Sequence, residues 1–92
     1  MIVGELTEQH VGWQIKVGRA RSDSEFCDSR TFTLKALRTW TYEGVTTVGL
    51  LDPTDARGNV RGTERHYDPA TPCKLIRPVS AKAKRLAREV RP

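Results

Sequence analysis

Ninety-two residues suit one small domain with a thin core. With 37% apolar residues and a mean hydropathy of −0.55, no run approaches the roughly 20 apolar residues of a spanning helix, which excludes one within this chain. The formal charge is +5, of which residues 80–92 carry +4 and residues 1–79 only +1, so the excess is a C-terminal feature.

Residues 2–6 are short and apolar, as expected of a first strand. Thr7 is placed to cap a short helical turn, with its hydroxyl accepting from an amide two or three residues on. Gly12 ends that turn, because a residue without Cβ takes positive φ freely. From Trp13 the period becomes two: Trp13, Ile15 and Val17 on one face, Gln14 and Lys16 on the other. Residues 13–20 therefore read as a strand.

Residues 21–30 read as a polar loop interrupted by Phe26 and Cys27, which are candidates to tuck onto the core. Residues 31–40 read as one strand, with Phe32 and Leu34 alternating with Thr31, Thr33 and Lys35. Ala36-Leu37 breaks the alternation, as a β-bulge would. Tyr42-Glu43-Gly44-Val45 is a tight turn with Gly44 at positive φ, and residues 39–51 form a hairpin around it. Asp52-Pro53-Thr54-Asp55 and Arg57-Gly58-Asn59 read as turns. Residues 60–67 are a strand weakened by Gly62, and Asp68-Pro69-Ala70-Thr71-Pro72 is a further turn. Residues 73–79 form the last strand, with Cys73, Leu75 and Arg77 expected on one face, Lys74 and Ile76 on the other. Pro78, which donates no hydrogen bond, ends the ladder.

Residues 80–90 are helical by cap and by period. Ser80 is a good N-cap, and Ala83, Leu86, Ala87 and Val90 form one narrow apolar stripe. Five or six short strands with a short terminal helix predict an all-β domain over residues 1–79, followed by a basic C-terminal helix or tail over residues 80–92. At this size the expected architecture is a small, partly open SH3-like barrel. An OB-like barrel fits less well, since no long internal helix is predicted.

The runs Leu6-Thr7-Glu8-Gln9-His10-Val11-Gly12 and His66-Tyr67-Asp68-Pro69-Ala70-Thr71-Pro72 resemble segments of small SH3-like barrel proteins encoded by actinobacterial phages. The preference for arginine over lysine suits a high-GC genome. The resemblance covers about residues 1–79 and leaves out the basic tail. It implies a fold and a source, and an accessory protein that acts on a host factor. It supplies no catalytic residues. Residues 1–5 lack the basic and apolar regions of a signal peptide, so the expected compartment is the cytoplasm, that of the host if the chain is phage-encoded.

Motifs for phosphate loops, dinucleotide sites, zincins and serine hydrolases are missing from the sequence, which reads as non-catalytic, with no cofactor and no metal site. His10 and His66 read as surface residues. Cys27 and Cys73 form no CxxC pair and are expected to be free thiols in a reducing compartment, although their pairing stays open. Pairing of Cys27 with a histidine as a nucleophile has no local support.

Two surfaces are candidates for binding. The basic helix offers Lys82, Lys84, Arg85, Arg88 and Arg91 to the phosphates of DNA or RNA. The middle hairpin places Arg38, Trp40 and Tyr42 on one face, residue types enriched at protein–protein hot spots. The preferred reading is a protein-interaction module using that hairpin. Nucleic-acid binding through the tail follows closely, and self-assembly into a homo-oligomer through open strand edges is the third reading.

Overall fold

The computed structural model of the chain describes residues 1–21, 26, 28–52 and 63–89. Its strands are β1 (Trp13–Gly18), β2 (Ser29–Thr33), β3 (Ala36–Tyr42), β4 (Val45–Asp52), β5 (Thr63–Tyr67) and β6 (Cys73–Pro78), followed by helix α1 (Ala81–Glu89). They form two three-stranded antiparallel sheets of order β2-β1-β6 and β3-β4-β5. The alternation read in β1 sets the core: Ile15 and Val17 are fully buried, while Lys16 between them is exposed. Phe32, Leu34, Val48, Leu50 and Tyr67 join them in one apolar cluster, which also takes in Val3, Leu6, Ala20 and Cys73.

The sheets meet at a corner. Residues 31–40 are two strands, because the chain changes partners at Leu34 and Lys35. The Leu34 amide donates to the Trp13 carbonyl at 2.9 Å and the Lys35 amide to the Leu51 carbonyl at 3.1 Å. The break in alternation near Ala36 is this change of sheet. A register irregularity does occur in β6, opposite Gln14 and Ile15. It turns Arg77 to the face of Gln14, Lys16 and Lys74, and away from Cys73 and Leu75. On the other side one backbone bond, Arg21 N–H to the His66 carbonyl at 2.9 Å, ties the end of the β1 segment to β5. The described ladders do not close into a continuous barrel.

Residues 2–6 are not a strand. Ile2 makes an isolated bridge to Pro72, and Val3–Glu5 is a 3-10 turn. Val3 and Leu6 are both buried, three residues apart, which is the 3-10 period. The Glu5 carboxylate accepts from the Ile2 amide at 2.9 Å. Phe26 does not tuck in; it is 94% exposed. Cys27 and the turns predicted from Pro53 to Asn59 lie outside the described residues, as do residues 60–62 of the strand predicted over 60–67.

The turn before β1 is the second 3-10 turn, Glu8–His10. Its cap comes from the histidine: the Thr7 amide donates to His10 Nδ1 at 2.9 Å. Gly12 follows at φ +92°, and three elements converge on it. Its amide donates to the Leu34 carbonyl at 2.7 Å, and its carbonyl accepts from Val79 at 2.8 Å and Ser80 at 3.0 Å. Ser80 Oγ accepts from the Ala83 amide at 3.0 Å, capping α1 as its sequence predicts. Ala83 is fully buried, with Leu86 and Ala87 half-buried, so the narrow stripe docks the helix. Val90 lies outside the described residues.

Candidate functional site

The outer face of the β3-β4-β5 sheet carries the most organised cluster of polar and aromatic side chains. Register fixes its rows: Arg38 opposes Gly49, which opposes His66; Trp40 opposes Thr47; and Leu51 opposes Glu64. Period-two alternation puts Arg38 and Trp40 of β3 on the same face as Glu64 and His66 of β5. Gly49 in the central strand is the floor. A Cβ there would stand 3.0 Å from both Trp40 Cζ3 and Glu64 Cδ, so the missing side chain is what lets indole and carboxylate lie down on the sheet.

Glu64 holds the cluster together. Arg38 grips it with two charge-assisted bonds, Nε to Oε2 at 2.7 Å and Nη2 to Oε1 at 2.6 Å, and His66 Nε2 lies 2.9 Å from Oε1. The Arg38 guanidinium sits 4.5 Å over the Trp40 ring, and the His66 ring meets the same indole edge-on at 5.0 Å between centroids. Arg21 supplies the far wall. Its guanidinium donates to Thr47 Oγ1 at 2.6 Å and the Thr46 carbonyl at 3.1 Å, and lies 3.7 Å from Asp68. Arg21, Trp40, Thr47, Glu64 and His66 line a shallow depression. Trp40 is half-buried, and at the hairpin tip Tyr42 and Val45 are exposed.

Hydrogen bonds from Arg38, and then from His66, pull the Glu64 carboxyl down from its usual 4.5 to about 2. A carboxylate whose pKa falls on folding contributes stability above its unfolded pKa and loses it as pH falls through the folded one. A side-chain carboxyl NMR titration is therefore expected to place Glu64 near 2, and Glu64→Gln to flatten the stability profile between about pH 4.5 and pH 2. A Glu64 midpoint near 4.5 would show that the pairs do not persist in solution.

Of the residues predicted from sequence, Arg38 and Trp40 are brought together, while Tyr42 shares their face further out. Glu64, His66, Arg21, Thr47 and Gly49 were not predicted. Glu64 and His66 did carry an i, i+2 signal inside a strand, so their shared face was readable. Arg21 carried none, because its contacts run 25 and 26 residues along the chain.

The predicted tail cations sit elsewhere. Helix α1 packs on β6 and the Glu8–His10 turn, and Lys82, Lys84, Arg85 and Arg88 are exposed on it. Arg91 lies outside the described residues. Beside the helix runs an apolar groove of about 310 Å³ lined by His10, Trp13, Leu75, Pro78, Leu86 and Ala87, among others. His10 is thus half-buried and its pKa is lowered by burial. On the outer face of the other sheet Lys16 stands directly opposite Lys74.

Cys73 is a free thiol, and burial raises its pKa. Among the described residues no group of three His, Cys, Asp or Glu side chains is placed to hold a metal ion. No described helix is long and apolar enough to cross a membrane. Comparison with protein-family models, with curated proteins and with solved structures gave no match.

Proposed function

We propose that this chain is a non-catalytic interaction module, a partly open SH3-like barrel that recognises a partner protein through the outer face of β3, β4 and β5. The observation that carries this reading is the clamped Trp40, half-exposed on the outside of a sheet between Arg38 and His66. Trp and Arg are the residues that dominate interface energetics. An indole already fixed by its neighbours loses little rotamer freedom on binding, which leaves more of the contact energy as affinity. The two-stranded tip with Tyr42 and Val45 extends the same surface. The resemblance to accessory proteins of actinobacterial phages makes a host protein the partner class.

The test is affinity capture from an actinobacterial lysate with the wild-type chain and with Trp40→Ala. Truncating a central aromatic anchor costs about 2 kcal/mol or more, so retention of the partner is expected to fall at least 30-fold. Equal recovery by both proteins would remove this face from the reading.

A second reading is nucleic-acid binding through α1. It is favoured by the way the helix docks: Ala83 faces inward, which leaves Lys82, Lys84, Arg85 and Arg88 to solvent. Capture of nucleic acid that fades steeply with salt, and that is lost on replacing Lys84, Arg85 and Arg88 by alanine, would favour it over the first.

A further inference from the structure

Strand β3 presents an edge that no described strand covers, and we infer that it pairs with the β3 of a second copy of this chain, antiparallel about a two-fold axis at Thr39. Among the described strands β3 lies at the end of its sheet and is bonded to β4 alone. Residues Glu43 and Gly44, at φ +50° and +78°, form the two-residue turn that joins the two strands. Such a turn makes Tyr42 and Val45 a hydrogen-bonded pair, and pairs then alternate along the ladder. Tyr42, Trp40 and Arg38 therefore direct their amides to β4, and Leu37, Thr39 and Thr41 direct theirs outward. Among the described residues no backbone group pairs with that outward row.

Folded proteins guard such edges with lysines, prolines, bulges or covering chain. The edges of β6 and β5 are guarded. β6 has Lys74, Arg77, a terminal Pro78 and a register irregularity. β5 has its His66 carbonyl taken by the Arg21 amide. Among the described residues β3 has none of these devices. It is the sequence Ala-Leu-Arg-Thr-Trp-Thr-Tyr, rich in strand formers, and its one charge, Arg38, is already neutralised by Glu64. Thr39 and Thr41 are exposed.

The occupant is a second copy because the edge is complementary to itself. A two-fold at Thr39 sets Thr39 against Thr39 and Leu37 against the second copy's Thr41, so every outward amide and carbonyl of the three residues is used. The same register places Arg38 opposite the second copy's Trp40, and Tyr42 opposite its Ala36. No like charges face each other. The result is a continuous six-stranded sheet in which the two Trp40 clusters become neighbours on one face. The pairing does not depend on what that face binds.

Sedimentation or light scattering across a concentration series tests this. The expected mass rises with concentration toward twice the 10.4 kDa of the chain and no further, since the two-fold consumes the edge. Thr39→Pro removes an outward amide and no bond to β4, and is expected to hold the protein monomeric with its circular dichroism unchanged. Thr41→Lys, which puts a charge on the edge without altering the backbone, is expected to do the same and decides the matter should the proline variant misfold. Ile76→Lys on the β6 edge is expected to leave the dimer intact. A monomer at all concentrations, assemblies larger than a dimer, or a dimer that survives Thr41→Lys would each overturn the inference.

Discussion

Gly12→Ala is expected to destabilise the protein by about 3 kcal/mol, from a left-handed backbone that alanine adopts with strain and from steric overlap in a packed site. Gly12 has φ +92°, and a Cβ there would stand 2.1 Å from Ser80 Oγ, 2.8 Å from Ser80 Cβ and 3.2 Å from Ala83 Cβ. Ser80 cannot retreat freely: its amide is bonded to the Gly12 carbonyl and its hydroxyl caps α1. The new methyl must push the helix off β6 or shift the start of β1. For a domain of this size a loss of about 3 kcal/mol lowers Tm by roughly 12 °C or more. Gly44→Ala is the control. Its φ is +78°, but nothing lies within 4 Å, so only the backbone term applies and about 1 kcal/mol is expected. Thermal and urea unfolding of the two variants measure the difference. Equal losses would mean that the helix does not press on Gly12.

The second large effect is expected at the corner. Leu34 is fully buried, its amide bonded to Trp13 and its carbonyl to Gly12. Leu34→Ala keeps these backbone bonds and leaves a cavity where the chain passes from one sheet to the other. Leucine-to-alanine changes in cores cost about 2–5 kcal/mol, and a site held by backbone bonds on both sides can relax little, so a value of about 4 is expected. Total stability of small domains is about 5–15 kcal/mol, so this variant is expected to sit near the edge of folding at 37 °C. Leu37→Ala, three residues on and only half-buried, is expected to cost about 1 kcal/mol in urea unfolding, as a partly exposed side chain loses less transfer energy. If Leu34→Ala costs no more than Leu37→Ala, the corner is not a joint of the core.

The Gly12 pivot, the hairpin at Gly44, the Asp68–Pro72 turn and the capped helix are all written in local chemistry. Each is a residue type with one strong conformational preference, and the structure realises it: Asp68 Oδ1, for example, accepts from the Ala70 amide at 2.8 Å. Residues 2–6 misled because five apolar-rich residues suit a strand and a 3-10 turn alike, and the choice was made by distant carbonyls, Thr71 accepting from Val3 and Pro69 from Gly4. The break near Ala36 was visible, but a bulge and a change of sheet leave the same mark on the alternation pattern. Arg77 was misplaced by an irregularity of one residue, which reverses every side chain beyond it.

Two residues of the candidate site were legible for the same reason. Arg38 and Trp40 are two residues apart on one strand, so alternation alone puts them on one face. Their neighbours Glu64 and His66 come from β5 and meet them only across β4, over a glycine whose lack of side chain has no meaning until the strands are paired. The sequence by itself determined the mostly β composition, the turns at Gly12, Gly44 and Asp68–Pro72, the helix cap and the placing of charge at the C-terminus, since these follow from preferences within a few residues. Only the tertiary structure decided that Trp40 is clamped rather than buried, that Glu64 is its keystone and that, among the described strands, β3 pairs with β4 alone. Those features depend on strand order and register, which arise from the packing of the whole core and not from any local stretch of chain.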